Sequence, residues 1–144
     1  EKKDDGKLFA MKVIKKDMVA QRNQKIHTQA ERKILENMRS PFIVQLHYAF
    51  QSESRLYLVM DFMIGGELFF HLRREKRFNV EKTRLYSAQI ILALEYLHKK
   101  NIIYRDLKPE NILVGEDGYL KITDFGLSKV IMVGEKSYTF CGTP

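Results

Sequence analysis

Three oxygen-bearing side chains stand at spacings suited to the transfer of a phosphoryl group. Asp106 and Asn111 share one polar segment, and Asp124 opens an Asp-Phe-Gly sequence further along the chain. Phosphoryl transfer requires a carboxylate to orient the attacking hydroxyl, oxygen ligands for Mg²⁺, and a cation against the nucleotide phosphates. Lys12, which interrupts an apolar run, supplies that cation. These four residues therefore predict a phosphoryl-transfer site.

Hydrophobic patterning predicts the elements that would position these residues. The apolar run 8–14 is typical of a short strand that carries Lys12, and apolar residues at helical spacing predict a helix over 25–39. Two further strands are expected over 42–50 and 56–63, on either side of a polar turn. The first part of the chain is therefore rich in strands.

The second part of the chain is predicted to be mainly helical. Helices are expected over 67–74 and 81–100, and the apolar content of the longer one indicates that it is largely buried. Strands over 112–114 and 120–122 form a hairpin with glycines in its turn.

The predicted fold class is α+β with two lobes. Residues 1–63 would form a strand-rich lobe and residues 64–144 a helix-rich lobe, with a ligand cleft between them. A hydrophobic fraction of 44% is enough to build a core.

Charge and cysteine content say less about function. The net charge of +7 favours phosphate-bearing or acidic partners, but the basic residues are dispersed as expected for solvated helix faces. The single Cys141 cannot form an internal disulfide, and no apolar run approaches the roughly 18 residues that span a bilayer. An intracellular, cytoplasmic location is expected, with the nucleus as an alternative.

The ordered set of motifs resembles that of the eukaryotic protein kinases over nearly the whole chain. The segment 10–12 is similar to their strand-three lysine motif, and the segments around Asp106 and Asp124 are similar to their catalytic and magnesium loops. Any one of these motifs alone has an ordinary structural explanation, but their order on the predicted elements favours the resemblance.

The resemblance implies a role for each residue of the site. Asp106 would be the catalytic base, Asn111 and Asp124 would bind Mg²⁺, and Lys12 would contact the α- and β-phosphates of ATP. Glu31 on the predicted helix would pair with Lys12.

Two further residues narrow the resemblance to the serine/threonine kinases of the AGC group. Lys108 is typical of serine/threonine kinases and would lie near the transferred phosphate, and Tyr104 stands where most kinases have histidine, as is usual in this group. The resemblance also implies a hydrophobic stack of Leu35, Leu46, Tyr104 and Phe125.

The resemblance also implies which residues bind the nucleotide base and the protein substrate. The backbone of Asp61 and Met63 would recognise adenine, with Met60 guarding the pocket behind them. Glu67 and Glu110 would hold basic residues upstream of the phosphoacceptor, which predicts a basophilic kinase. For Glu67 the alternative is a carboxylate that caps its helix, where the helix dipole favours negative charge.

The segment 137–144 resembles the end of a kinase activation loop. Thr139 matches the residue phosphorylated by an upstream kinase, Arg105 would be the basic partner of its phosphate, and Thr143 would line the phosphoacceptor pocket. Segments 46–50, 103–106 and 139–142 are most similar to the growth-factor-responsive branch that includes the ribosomal-protein kinases.

Some expected parts of a kinase domain are missing from the chain. No glycine-rich loop precedes Lys12, and the sequence stops at Pro144, before an Ala-Pro-Glu motif. We therefore expect about half of a catalytic domain, with weak ATP binding by itself and with its activity in a longer parent protein.

Three alternatives remain at this point. A catalytically inactive scaffold of the same fold is disfavoured by the complete set of site residues. A basic nucleic-acid-binding module is permitted by the charge, but no stacking aromatic or zinc-ligand pattern accompanies it, so nucleic acid is not an expected partner. A lipid or small-molecule kinase is open, although Lys108 favours a protein substrate.

Overall fold

In this computed structural model the described residues are 2–4, 6–19 and 22–131, with the side chains of residues 19 and 22–27 excepted. In chain order the elements are β1 (Phe9–Lys15), α1 (Lys16–Val19), α2 (Arg22–Glu36), β2 (Leu46–Gln51), β3 (Arg55–Asp61), β4 (Gly66–Glu67), α3 (Leu68–Glu75), α4 (Val80–Lys99), β5 (Ile102–Ile103), a 3-10 helix (Pro109–Asn111), β6 (Ile112–Val114), β7 (Leu120–Ile122) and β8 (Lys129–Val130). The mixed α+β class predicted from the sequence is confirmed.

Strand β1 lies at one edge of an antiparallel sheet with the order β1-β3-β2. Successive side chains of a strand point to opposite faces. Lys12 therefore shares the partly buried face with Ala10 and Ile14, whereas Met11 and Val13 are exposed. This alternation directs the Lys12 ammonium toward α2.

Strand β2 is shorter than the strand predicted over 42–50. It begins at Leu46, because the preceding residues pair with β7 instead. The carbonyl of Phe42 accepts a hydrogen bond from the N–H of Ile122 at 2.9 Å, and the N–H of Val44 donates to the Ile122 carbonyl at 3.0 Å. The two predicted lobes are thus joined by backbone hydrogen bonds that local alternation does not reveal.

Helix α2 ends earlier than predicted. The sequence favoured an end near residue 39, but the helix stops at Glu36, and the side-chain amide of Asn37 donates to the Lys33 carbonyl at 3.0 Å. That bond satisfies one of the carbonyls left open at a helix end. The described side chains that this segment buries are Glu31, Ile34, Leu35 and Met38.

Helix α4 begins at a cap and is less buried than predicted. The Asn79 side chain accepts a hydrogen bond from the N–H of Lys82 at 2.8 Å, which is a typical N-cap arrangement. The prediction of a largely buried helix is wrong for the described structure, because only one stripe of the helix meets the core. The buried side chains are Gln89, Ala93 and Leu97, and the exposed apolar ones include Leu85, Ile91 and Leu92.

The hairpin of β6 and β7 has the predicted bounds and lies beside β4. Gly118 in its turn has a φ of 80°, a conformation that glycine adopts without steric cost. The N–H of Gly65 donates to the Val114 carbonyl at 3.0 Å, so this hairpin also holds the segment that leads into α3.

One hydrophobic core runs through both parts of the chain. It is formed by Ile34, Leu35 and Met38, by Leu46, Leu58 and Met60, by Ala93 and Leu97, and by Tyr104, Ile122 and Phe125, among others. Helices of the length and apolarity needed to cross a membrane are absent from the described part of the chain.

Candidate active site

Lys12 lies between two carboxylates. Its Nζ is 2.7 Å from Oε1 of Glu31 and 3.6 Å from Oδ1 of Asp124. Burial by itself would lower the pKa of Lys12, but the charge and hydrogen bond of Glu31, with Asp124 adding to them, outweigh burial and raise the pKa. Lys12 is therefore fully charged at neutral pH, as a phosphate-binding lysine must be.

Asp106 is held by two neighbouring side chains. The amide Nδ2 of Asn111 donates to the Asp106 carbonyl at 3.0 Å and to its carboxylate Oδ2 at 2.8 Å. Lys108 Nζ lies 3.1 Å from the same oxygen. The 3-10 helix makes this possible, because it folds Asn111 back over Asp106. The carboxylate is thus fixed in place, with its side chain 10% exposed.

Asp124 and Asn111 lie on adjoining backbone segments. The N–H of Thr123, which precedes Asp124, donates to the Asn111 carbonyl at 3.0 Å. This bond joins the group around Asp106 to the group around Lys12. The six predicted residues Lys12, Glu31, Asp106, Lys108, Asn111 and Asp124 therefore belong to two contiguous groups that this hydrogen bond connects.

Two residues of these loops have strained backbones. Arg105 has a φ of 70° and Asp124 a φ of 56°, both in the left-handed region that residues other than glycine rarely occupy. Such strain is concentrated at functional sites, where the surrounding structure maintains it. Arg105 precedes Asp106 in the predicted catalytic loop, and Asp124 begins the predicted magnesium loop, so the strained backbone lies at the predicted site.

The oxygens of Asp124 and Asn111 suit Mg²⁺. The Asp124 side chain is 51% exposed, so its carboxylate is accessible to an ion, and Asn111 offers an amide oxygen. No cluster of three or more His, Cys, Asp or Glu placed to hold a metal occurs among the described residues. Mg²⁺ is commonly bound by one or two carboxylates together with water and substrate phosphates. The oxygens of Asp124 and Asn111 fit this type of coordination.

The predicted hydrophobic stack lies behind the two loops. The rings of Tyr104 and Phe125 meet edge to face with centroids 5.3 Å apart, and both are in the core cluster with Leu35 and Leu46. The Tyr104 hydroxyl donates to the Thr123 carbonyl. Burial raises the pKa of Tyr104 far above its ordinary value, so the phenol stays neutral and remains a donor.

The predicted adenine-binding segment follows β3. Met60 is buried, and the Met63 carbonyl accepts a hydrogen bond from the N–H of Gly66 at 3.1 Å. Among the described residues the N–H of Met63 has no hydrogen-bond acceptor. A backbone donor is thus available at the position where the sequence predicts contact with a nucleotide base.

Comparison with known proteins identifies the family. All of the chain, residues 1–144, matches the family model described as protein kinase domain. This chain belongs to the protein kinase family. It is 55% identical over 144 residues to Protein kinase 2 of Dictyostelium discoideum, across 100% of this chain and 30% of that protein. The chain spans about a third or less of the length of the curated relatives compared with it.

Two other relatives are named as serine/threonine kinases. Serine/threonine-protein kinase sgk-1 of Caenorhabditis elegans is 52% identical over 144 residues, which cover 99% of this chain and 31% of the relative. RAC-beta serine/threonine-protein kinase of Homo sapiens is 48% identical over 143 residues, which cover 99% of this chain and 30% of the relative. The resemblance to the AGC-type kinases is therefore confirmed.

Arg105 of this kinase chain has an unused donor. Its Nε donates to the Leu127 carbonyl at 2.6 Å, whereas its buried Nη1 has no hydrogen-bond partner within the described residues. Buried polar groups are nearly always paired, so this donor requires an acceptor. Thr139, the predicted source of that acceptor, and Thr143 lie outside the described residues.

The two predicted substrate-binding acids of the kinase chain are both exposed. Glu67 lies in β4 and Glu110 in the 3-10 helix, and these two elements contact each other. Glu67 precedes α3 with an extended backbone, and its side chain makes no capping hydrogen bond. The capping alternative for Glu67 therefore lacks the bond that would support it.

Sequence reasoning missed three linked side chains of this kinase chain. The Asp61 carboxylate contacts Lys121 Nζ at 2.6 Å and His47 Nε2 at 2.7 Å. Only the backbone of Asp61 was assigned a role, and the other two residues had none. One feature of the sequence could have indicated this group. Lys121 is a charged residue between two apolar residues of a short strand, and both of these neighbours are buried.

Proposed function

We propose that the protein containing this chain is a serine/threonine protein kinase that transfers the γ-phosphate of ATP to serine or threonine hydroxyls of protein substrates. The observation that carries the proposal is the joined arrangement of Lys12 with Glu31 and Asp124, and of Asp106 with Asn111. Protein kinases as a family use ATP, usually with Mg²⁺.

Each residue would act at a defined place. Lys12 would bind the α- and β-phosphates, and Lys108 would neutralise charge on the phosphoryl group in transit. Asp106 would orient the substrate hydroxyl and accept its proton as the oxygen bonds to the γ-phosphorus and the bond to the β–γ bridging oxygen breaks, which releases ADP. Asn111 and Asp124 would hold Mg²⁺, which offsets phosphate charge.

The decisive experiment compares the full-length protein with its Asp106→Asn variant. Asparagine keeps the shape and the hydrogen bond from Asn111 but cannot accept the proton, so transfer to an Arg-rich serine peptide should fall by about 10² to 10⁴-fold. Glu53→Gln, the equivalent carboxylate-to-amide change at an exposed acid in the turn between β2 and β3, is the control and should leave the rate unchanged.

Failure of the unmodified protein to transfer phosphate, even with Thr139 phosphorylated and Mg²⁺ present, would favour the inactive scaffold. Transfer by the parent that is lost in Asp106→Asn would support the kinase and the role of Asp106 together.

A preference for basic substrates is the second part of the proposal. It is supported by two exposed carboxylates, Glu67 and Glu110, on contacting elements. Glu67→Gln and Glu110→Gln should each raise KM for a peptide with arginines upstream of the serine. The same variants should have no such effect on a peptide in which those arginines are alanine, and equal effects on both peptides would argue against the assignment.

Activation by phosphorylation at Thr139 is the third part. The buried, unpaired Nη1 of Arg105 supports it, because a phosphate is a strong acceptor for a guanidinium. Treatment with an upstream kinase should raise kcat, and Thr139→Ala should abolish that rise. The Arg105→Ala variant should take up phosphate at Thr139 without the rise in activity.

A further inference from the structure

The carboxylate of Asp61 joins three separate elements. It lies at the end of β3 and is 2.6 Å from Nζ of Lys121 on β7 and 2.7 Å from Nε2 of His47 on β2. It also accepts a hydrogen bond from the N–H of Gln45 at 3.1 Å. The side chain is only 18% exposed. Three groups from both halves of the chain therefore meet at one partly buried carboxylate.

Backbone irregularity brings His47 into this group. The pairing of β2 with β3 shifts register between Leu46 and Tyr48, so His47 is an extra residue in its strand. Such a bulge changes the direction of a side chain relative to its neighbours. The ring of Phe9 packs edge to face on His47 with centroids 4.9 Å apart, which fixes the imidazole beside Asp61.

Lys121 connects the group to the magnesium loop. It lies between buried Leu120 and Ile122, so the backbone of β7 is anchored in the core on both sides of it. The same strand leads directly to Thr123 and Asp124. A contact from Lys121 to Asp61 therefore fixes the end of β3 relative to the loop that carries Asp124.

We propose that Lys121 and His47 are positioning residues for the nucleotide. They act through the Asp61 carboxylate, which holds the backbone of residues 61–63 in the conformation that receives adenine. This inference rests on the proposed function, because it assumes that ATP binds along this segment.

The lowered pKa of Asp61 agrees with this geometry. Burial alone would raise the pKa of the carboxyl, but the hydrogen bonds from Lys121, His47 and Gln45 outweigh it. A cavity of about 760 Å³ borders both Asp61 and Lys121. Water can therefore reach Asp61 when Lys121 is replaced, and variants at Lys121 are expected to remain folded.

The test is steady-state kinetics of the full-length protein with the variants Lys121→Met and Lys121→Arg. Lys121→Met should raise KM for ATP about three- to tenfold, the range that corresponds to the net loss of one ordinary hydrogen bond, because the lysine acts on the nucleotide only through Asp61. Values of kcat and of KM for the peptide should stay within about twofold. Lys121→Arg keeps the charge and a donor, and it should restore most of the affinity for ATP.

A matched surface lysine serves as the control. Lys99 Nζ is 2.6 Å from Oε1 of Glu95 in an exposed pair on α4. Lys99→Met removes the same charge and a similar ion pair, and it should leave KM for ATP unchanged. A fall in ATP affinity for both lysine variants would mean that net charge, not position, is responsible, and the inference would be overturned.

A double-mutant cycle separates positioning through Asp61 from a direct effect of Lys121. In an Asp61→Asn background, Lys121→Met should produce no further rise in KM for ATP, because the partner of the lysine has gone. His47→Phe should shift KM in the same direction by a smaller factor, and it provides an independent variant if Lys121→Met is unstable.

The outcomes distinguish this inference from the proposed function. Normal transfer by the parent with an unchanged KM for ATP in Lys121→Met, or with a loss confined to kcat, would overturn the inference and leave the kinase intact. No ATP-dependent transfer or ATP binding by the parent would overturn the proposed function and this inference with it.

Discussion

The buried carboxylate of Glu31 depends on Lys12 to balance its charge. Glu31 is 3% exposed, and Lys12 Nζ is 2.7 Å from its carboxylate. A buried charge without its partner is costly, whereas an exposed ion pair contributes little. Lys12, the proposed phosphate-binding lysine, is therefore also a structural residue.

The Lys12→Met variant should lose both activity and stability. Phosphate transfer should fall to background, and the free energy of unfolding should drop by about 1–3 kcal/mol, because the Glu31 carboxylate is left unpaired. Adding Glu31→Gln should recover part of the stability but none of the activity. Denaturant titration beside an ATP-dependent peptide assay measures both quantities.

The control for this prediction is the exposed pair on the same helix, Arg32 and Glu36, with a contact of 2.7 Å. Arg32→Met should change the stability by less than about 0.5 kcal/mol. An equal loss in both variants would contradict the special role of the buried pair.

Asp61 should make the free energy of unfolding decrease as the pH falls. Its pKa is lowered in the folded state, so the folded protein binds this proton less readily than the unfolded chain does. The stability that Asp61 contributes is present above its ordinary pKa of about 4, and it is lost as pH falls through the lowered folded pKa.

The stability difference between the unmodified protein and Asp61→Asn should therefore shrink as pH falls from 7 toward about 3. Urea unfolding at a series of pH values measures it. A constant difference for Asp61→Asn would contradict the assigned contacts.

At the scale of elements, local sequence patterns predicted whether a segment is a helix or a strand. They predicted less well where the element begins and how deeply it is buried. The hairpin of β6 and β7 was located correctly because its turn glycines and apolar strands are adjacent in sequence. The start of β2 was misplaced because residues 42–44 pair with β7. The burial of α4 was overestimated because its apolar residues exceed the one stripe that meets the core.

The cap of α4 provides a prediction at this scale. Asn79→Ala removes the acceptor for the N–H of Lys82 and should cost about 1 kcal/mol of stability. KM for ATP should not change, because the capping hydrogen bond joins Asn79 to Lys82 and involves no residue of the candidate site. Ser87→Ala, an exposed change in the interior of the same helix, should cost no stability, because alanine favours the helix more than serine does, and thermal unfolding of both variants compares them.

At the scale of the whole molecule, the predicted lobes share one core. Leu35 of α2, Leu97 of α4 and Phe125 of the magnesium loop belong to the same cluster. Each half therefore packs against the other and stabilises it. The relative placement of Lys12 and Asp106 depends on this shared core.

Two leucines of α4 test the shared core. Leu97 is 0% exposed and Leu92 is 46% exposed. Leu97→Ala should lower the free energy of unfolding by about 2–5 kcal/mol, and Leu92→Ala by much less. Near-ultraviolet and far-ultraviolet signals of the full-length protein during denaturation should shift together for Leu97→Ala. A shift of one signal alone would show that unfolding is not a single two-state transition, and it would contradict cooperative unfolding around one shared core.

The sequence by itself determined which residues could perform phosphoryl transfer, because the spacings of Asp106, Asn111 and Asp124 are local and their side-chain chemistry is fixed. Only the tertiary structure decided the surroundings of those residues. The group of Asp61, Lys121 and His47 exists because a bulge in β2 and the packing of β7 bring distant positions together. Such contacts depend on the register of pairing and on shared packing, which nearest neighbours in the sequence do not specify.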